Sequence, residues 1–151
     1  MFKKVLIANR GAIATRITRT LHEMNVKAVA IYAEADRDSL HVSYADEAFS
    51  LGEGRAADTY LNQQRILEIA RETGAEAIHP GYGFLSENPN FATACADAGL
   101  NFIGPSVLVL ELCGDKGRAR AAAKAADVPV LEGIDRAVSL TEARTFFSGL
   151  P

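Results

Sequence analysis

The chain alternates between short apolar runs and longer segments in which apolar residues recur at helical spacing. Residues 3–8 (KKVLIA) and 27–32 (KAVAIY) have the length and composition of buried strands. Between them lies a helical segment, and one stripe of it carries Ile13, Ile17, Leu21 and Met24. A strand, a helix and a second strand in this order predict a β-α-β unit.

The same alternation continues through most of the chain. We predict further strands at 48–51, 77–79 and 101–103, and helices at 63–73, 89–98, 106–113 and 116–126. A last helix is expected to begin at a capping box formed by Ser139 and Glu142. Strands that alternate with helices predict an α/β fold, a Rossmann-like parallel sheet flanked by helices.

Composition excludes several classes of protein. A net charge of -3 with interleaved signs gives no basic surface for nucleic acid. No apolar run approaches the roughly 20 residues that span a bilayer, and no signal peptide is recognisable, so we expect a cytoplasmic protein without membrane contact. Cys95 and Cys113 lack histidines at metal-ligand spacing, and we interpret both as buried free thiols.

The densest group of unusual residues follows the predicted strand at 77–79. Gly81 and Gly83 permit backbone conformations closed to other residues, and the ring of Tyr82 lies between them in sequence. Asn88 and Pro89 then supply an N-cap and a first-turn proline. Parallel sheets build ligand sites at the carboxyl ends of their strands, which favours a binding loop over a plain turn.

The junction after the first strand raises a rival interpretation, a nicotinamide dinucleotide module. Glu34 or Asp36 stands after the second strand, where such a module places its ribose-binding acid. The fingerprint G-x-G-x-x-G needs three glycines, however, and this turn offers only Gly11. The rival interpretation is therefore weak.

Several motifs together resemble one known family. In chain order they are IANRGAIATRI, ADRDSLHVSYADEAFSLG, TYLN, AIHPGYGFLSENPNFA and FIGPS followed by GDK. They are similar, in order and spacing, to the N-terminal portion of biotin carboxylase, and HPGYGFLSEN is the most specific of them. The chain departs from the family pattern at Ala12, where glutamate is usual, and at Cys113, where methionine is more typical.

The resemblance implies an ATP-dependent ligase of the ATP-grasp superfamily. Such enzymes use ATP, Mg²⁺ and bicarbonate to carboxylate biotin on a carrier domain. It also implies that residues 1–113 form the pre-ATP-grasp domain and that residues 114–151 begin a truncated central domain. No glycine-rich phosphate loop or clustered acid pair is present near the end of the chain, so we assign no catalytic or metal-binding residue and expect the fragment alone to be inactive.

Resemblance also assigns roles to particular residues. Lys116 follows a predicted N-cap at Asp115, and a first-turn lysine needs an anionic partner to offset the helix dipole. The family places a phosphate-binding lysine there, and it places Tyr82 and Gly83 near the biotin ring. Arg16, Arg19 and Glu23 share one helical stripe; spacing alone indicates a solvated face, whereas the resemblance implies a homodimer interface.

Two alternatives remain open. One is the N-terminal domain of another ATP-grasp carboxylate-amine ligase, and the other is a non-catalytic nucleotide-binding module. If the resemblance holds, the partners are a biotin carboxyl carrier domain and a carboxyltransferase, on the same chain or another. The final acceptor, whether acyl-CoA, pyruvate or a urea-type compound, is not encoded in this segment.

Overall fold

The structure is a computed structural model that describes residues 1–134 and 136–149. The chain divides into two compact units, residues 1–107 and residues 108–151. The boundary predicted at residues 113 and 114 lies a few residues further along the chain, and it stays a prediction.

The first unit is built on a parallel sheet. Its strands are β1 (Lys4–Ile7), β2 (Lys27–Tyr32), β3 (Glu47–Ser50), β4 (Ala77–His79) and β5 (Asn101–Phe102). They lie in the order β3-β2-β1-β4-β5, and every neighbouring pair is parallel. The predicted α/β fold with a Rossmann-like sheet is confirmed.

Helices cover both faces of this sheet. The helices of the first unit are α1 (Gly11–Glu23), α2 (Leu40–Tyr44), α3 (Gln63–Thr73) and α4 (Pro89–Asp97). On one face, Ile17 and Leu21 of α1 pack with Val5 and Ile7 of β1. On the other face, the residues that pack together include Leu6, Ile66, Ile69, Ile78 and Phe91. Burial on both faces explains why β1 is a continuous apolar run rather than an alternating one.

Two short elements were not predicted from the sequence. They are α2 and a single 3₁₀ turn at Glu34–Asp36. Both lie in a largely polar stretch, and neither is long enough to repeat an apolar position at helical spacing. Their importance lies in the side chains that they carry, Asp36 and His41, both of which are buried.

The chain after the sheet forms three helices, α5 (Val107–Cys113), α6 (Lys116–Ala125) and α7 (Leu140–Ser148). The predicted N-cap at Asp115 is confirmed, since its side chain accepts from the Arg118 amide at 2.8 Å. The capping box of Ser139 and Glu142 is confirmed as well.

The prediction for the cysteines is half right. Cys95 is buried, and burial raises the pKa of its thiol to about 11. Cys113 is exposed, which contradicts the prediction that both thiols are buried. The reason is that α5 is apolar almost throughout, so its sequence does not show which side is buried; of its residues only Leu110 is buried.

Within the described residues, no helix combines the length and the apolar character that crossing a membrane requires.

Candidate functional site

Strand order brings together the loops that follow β1 and β4. The two strands are neighbours, and the Ala8 amide extends their pairing by donating to the His79 oxygen at 2.9 Å. Helix α1 leaves β1 toward one face of the sheet and α4 leaves β4 toward the other. This is a topological switch point, the position at which open parallel sheets form ligand-binding crevices.

Asn9 joins the two loops at this point. Its side-chain amide donates to the backbone oxygens of Pro80 at 2.7 Å and of Tyr82 at 2.8 Å. Its side-chain oxygen accepts from the Arg10 amide at 2.9 Å. Because Asn9 is buried, these bonds replace contacts with water, and losing them would leave polar groups unsatisfied. Asn9 therefore fixes the start of the loop that contains Tyr82.

Gly81 fits closely against Asn9. Its φ is +67°, and a Cβ at this position would lie 2.7 Å from Asn9 Nδ2. Gly83 has the same φ of +67°, but a Cβ there would meet no atom within 4 Å. The two glycines of the motif thus have different physical roles: Gly81 permits a close approach of Asn9, and Gly83 supplies a left-handed backbone with open space beside it.

We expect Gly81→Ala to destabilise the chain more than Gly83→Ala does. The Gly83 variant carries only the strain of the left-handed backbone, about 1 kcal/mol, whereas the Gly81 variant must also displace Asn9 and should lose about 2 to 3 kcal/mol. Denaturant unfolding of the two variants measures the difference. Equal losses would show that the Asn9 contacts do not hold the loop.

A charged and aromatic cluster lies beside the same loops. Arg10 donates from Nε to Asp36 Oδ2 at 2.7 Å and from its terminal nitrogen to Oδ1. The Tyr60 hydroxyl donates to Asp36 Oδ2 at 2.6 Å and accepts from the Ala33 amide at 3.0 Å. The Tyr60 ring stacks on Phe84, with 5.1 Å between centroids.

These contacts determine the protonation states of the side chains in the cluster. The hydrogen bond from Arg10 is the main cause that lowers the pKa of Asp36, and the bond from Tyr60 acts in the same direction against burial. Burial, with the Asp36 hydrogen bond, raises the pKa of Tyr60 to about 12. At neutral pH the cluster therefore contains an ionised carboxylate, a guanidinium and a neutral phenol. Because Asp36 is held in this way, it is not the free ribose-binding acid that the rival interpretation required.

An open pocket of about 370 Å³ lies between the two loops. Its lining residues are Asn9, Arg10, Gly11, Ile13, Tyr82, Gly83 and Phe84. The Tyr82 side chain is exposed, and the Gly83 backbone borders the pocket without a side chain. Tyr82 and Gly83, the two consecutive residues assigned to a biotin site, thus line a pocket with an aromatic wall and an arginine.

The charged stripe on α1, which carries Arg16, Arg19 and Glu23, borders a second groove of about 770 Å³. Arg16 and Arg19 line it together with Leu40, His41 and Tyr44. Arg19 and Glu23 are exposed, and Arg19 Nε lies 4.0 Å from Glu23 Oε1. Leu40 and Tyr44 are exposed apolar residues, so this surface combines arginines with aromatic and aliphatic groups, as the centres of protein interfaces do.

His41 lies below this groove. It is 1% exposed, and within the described parts of the chain neither ring nitrogen makes a hydrogen bond of normal geometry, although the Ile31 backbone lies near the ring. Burial lowers the pKa of its imidazole, so we expect the ring to be neutral. Its nitrogens do not reach the groove surface, and His41 therefore serves as packing rather than as a ligand-binding group.

Lys116 belongs to the second unit, where it begins α6. It lines a pocket of about 430 Å³ together with Arg118 and Arg136. Arg136 pairs with Glu142 at 2.8 Å, whereas Lys116 makes no hydrogen bond or ion pair to any residue that the structure describes. Free amide groups at a helix N-terminus and several cations favour an anionic ligand.

Sequence comparison identifies the family. The family model described as "Biotin carboxylase, N-terminal domain" matches residues 1–110. The chain belongs to this family. The matched residues include the sheet, both loops at the switch point and the stripe on α1.

Similar curated proteins are consistent with this family membership. The chain is 58% identical over 139 residues to the biotin carboxylase of Halalkalibacterium halodurans, covering 92% of this chain and 31% of that protein. It is 53% identical over 135 residues to the 2-oxoglutarate carboxylase small subunit of Hydrogenobacter thermophilus, covering 89% of this chain and 28% of the relative. The chain therefore spans about a third of the length of these curated relatives.

Solved structures show the same similarity. The biotin carboxylase domain dimer of the Hydrogenobacter thermophilus 2-oxoglutarate carboxylase superposes with a TM-score of 0.92 at 49% identity, over 98% of this chain and 32% of that one. That structure is a complex with MgADP, ADP and bicarbonate. A single-chain long-chain acyl-CoA carboxylase gives a TM-score of 0.93 at 50% identity, over 99% of this chain and 15% of that one.

Sequence reasoning missed part of the site. Asn9, Arg10 and Tyr60 receive no role from the sequence, although all three lie in motifs that carry the resemblance. A signal for the first two existed, because two polar residues directly after a fully buried strand lie at the ligand edge of a parallel sheet. Tyr60 lies in the TYLN motif that carries part of the resemblance, but that motif by itself gives the residue no role.

Proposed function

We propose that this chain is the N-terminal part of a biotin carboxylase, an ATP-dependent ligase that uses MgATP and bicarbonate to carboxylate biotin on a carrier domain. The observation that carries the proposal is the pocket at the switch point, where the HPGYGFLSEN loop meets Asn9 and Arg10. Family membership and the named relatives support it.

The pocket suits a biotin ring in chemical terms. A ureido ring is planar and weakly polar, so an aromatic wall and a close backbone are appropriate neighbours. Tyr82 offers the ring, and Gly83 leaves space that no protein atom fills within 4 Å of its missing Cβ. We propose that Tyr82 and Gly83 border the carboxylation site.

The pocket at the start of α6 suits the phosphates of ATP. Lys116 and Arg118 provide positive charge there beside Asp115, Arg136 is paired with Glu142, and the helix N-terminus adds its amide groups. Mg²⁺ would neutralise the phosphates and hold them in position for phosphoryl transfer. No group of three or more His, Cys, Asp or Glu side chains suited to a metal occurs among the described residues. We assign no Mg²⁺ ligand to this chain.

The partners follow from the same proposal. A carboxylated biotin must be delivered by a carrier domain to a carboxyltransferase, which selects the acceptor. The relatives are named for biotin carboxylase, pyruvate carboxylase and 2-oxoglutarate carboxylase, so they do not single out one acceptor. We therefore leave the acceptor open and propose a cytoplasmic enzyme with these two partners.

We propose that the full-length carboxylase dimerises through Arg16, Arg19 and Glu23, and we expect Arg19→Glu to weaken that dimer. The substitution places an acid beside Glu23 and removes a cation from a groove that exposes Leu40 and Tyr44. Sedimentation at low concentration should show a rise in the dimer dissociation constant of about tenfold, equivalent to about 1.4 kcal/mol.

Arg71→Glu is the matched control for the dimer. It reverses an exposed arginine on α3, which packs on the opposite face of the sheet from α1. Its dissociation constant should remain that of the parent. A similar weakening by both variants would indicate a general charge effect and contradict the assignment of the α1 stripe.

Carboxylation of free biotin by the full-length protein tests the proposed function. The expected result is carboxybiotin formation that requires ATP, Mg²⁺ and bicarbonate together. ATP hydrolysis stimulated by an amine and not by biotin would instead identify another ATP-grasp ligase. ATP binding without turnover would identify a non-catalytic nucleotide-binding module. The 151 residues alone are expected to be inactive, and bicarbonate-dependent ATP hydrolysis by them would overturn that expectation.

A further inference from the structure

The cluster beside the switch point connects the loops at the carboxyl ends of four strands. Arg10 follows β1, Asp36 follows β2, Tyr60 follows β3 and Phe84 follows β4. We propose that Tyr60 is a positioning residue for the biotin-site loop, which it holds by stacking on Phe84. This inference rests on the proposed function, because it assigns the loop a role in biotin binding.

Tyr60 is held in one orientation. Its side chain is 4% exposed, and its hydroxyl both donates to Asp36 and accepts from the Ala33 amide. Asp36 is itself held by Arg10, whose guanidinium carbon lies 5.9 Å from the centre of the Tyr60 ring. A ring whose hydroxyl is fixed at two points presents a constant face to its neighbour.

Phe84 needs such support. Its φ is +43°, a left-handed conformation that residues other than Gly, Asn and Asp seldom adopt. Its side chain is 37% exposed, so burial alone does not explain its position. The stack on Tyr60, with an interplanar angle of 18°, is the aromatic contact that opposes this strain. Leu85, which is buried, anchors the following residue in the core.

A purely structural role for Tyr60 makes a different prediction. If Tyr60 only filled space, its loss would lower stability and would affect binding of ATP and of biotin alike. If it positions the loop, its loss should displace Tyr82 and Gly83. These two residues directly precede Phe84 and line the same pocket. Correct placement of binding groups changes affinity for the one ligand that contacts them.

Hydrogen exchange in the full-length protein tests the positioning directly. Tyr60→Leu and Phe84→Leu should each speed amide exchange in peptides that contain Tyr82 to Ser86. Phe102→Leu is the matched control, because it makes the same chemical change to a partly buried ring that packs against Phe91. Unchanged exchange of the loop in the Tyr60 variant would overturn the inference, whether or not the protein carboxylates biotin.

Kinetics supply the second measurement. Tyr60→Leu and Phe84→Leu should each raise the Michaelis constant for free biotin about fivefold and leave that for ATP within about twofold. The double variant should be no worse than the more impaired single variant, because both act through one stack. Phe84→Tyr, which retains the ring, should raise the Michaelis constant for biotin less than Phe84→Leu does.

The possible failures are distinguishable. Additive effects, or Michaelis constants for biotin and ATP that rise together, would contradict positioning while leaving the proposed function intact. Failure of the parent protein to carboxylate biotin would contradict the proposed function, and hydrogen exchange would still decide whether Tyr60 holds the loop.

Discussion

Replacing Lys116 with glutamine in the full-length carboxylase is expected to raise the Michaelis constant for ATP by about tenfold or more. Glutamine preserves most of the length of the side chain and its capacity to donate, so the substitution removes mainly charge. A tenfold rise corresponds to about 1.4 kcal/mol, a reasonable magnitude for one cation on a polyphosphate.

The structure supports this expectation through the local electrostatics of α6. No acid lies in the first turn of the helix, and Asp115 is occupied as the N-cap of the Arg118 amide. Lys116 lies at the helix N-terminus, where the dipole favours anions; the Asp115 carboxylate is one such anion, and a bound phosphate would be another. A point-charge ammonium can bind phosphate oxygens without the fixed geometry that a guanidinium requires.

Lys124→Gln is the matched control for Lys116. Lys124 is exposed in the last turn of the same helix, so its substitution removes the same charge at the other end of α6. The Michaelis constant of this variant should stay within about twofold of the parent value. If the Lys116 variant also stays within that range, Lys116 is a solvated lysine and the ATP assignment is wrong.

Features that depend on neighbours in sequence could be predicted. The cap at Asn88, whose side chain accepts from the Phe91 amide at 3.0 Å, follows from Asn-Pro before a helical segment. The end of α3 at Gly74, with φ of +66°, follows from a glycine that comes after the last apolar position of that helix. Such signals extend over only a few residues, so one sequence is enough to show them.

The charged cluster could not be predicted in the same way. The partners Arg10 and Asp36 are 26 residues apart, and Tyr60 lies 24 residues beyond Asp36. Which loops meet depends on strand order, and several orders are compatible with the same alternation of strands and helices. Asp36 was therefore considered as a ribose-binding acid, although in the structure it is paired with Arg10 and bonded to Tyr60.

Gly83→Val in the full-length carboxylase is expected to lower kcat/KM for free biotin about tenfold and to change the Michaelis constant for ATP by less than about twofold. The structure gives two physical reasons for the expected loss of biotin carboxylation. A Cβ at Gly83 would clash with no protein atom, so the space it would fill is available to a ligand. In addition, valine is strained at a φ of +67°, which should shift Tyr82 and Phe84 on either side.

Gly74→Val separates backbone strain from the effect on the site. Gly74 has a φ of +66°, and a Cβ there also meets nothing within 4 Å, but it lies at the end of α3 and lines none of the pockets assigned here to biotin or ATP. Both variants should therefore lose similar stability, whereas only Gly83→Val should lose biotin carboxylation selectively. If Gly83→Val impaired biotin and ATP equally, the loop would have collapsed, and a role for Gly83 at the biotin site would not be supported.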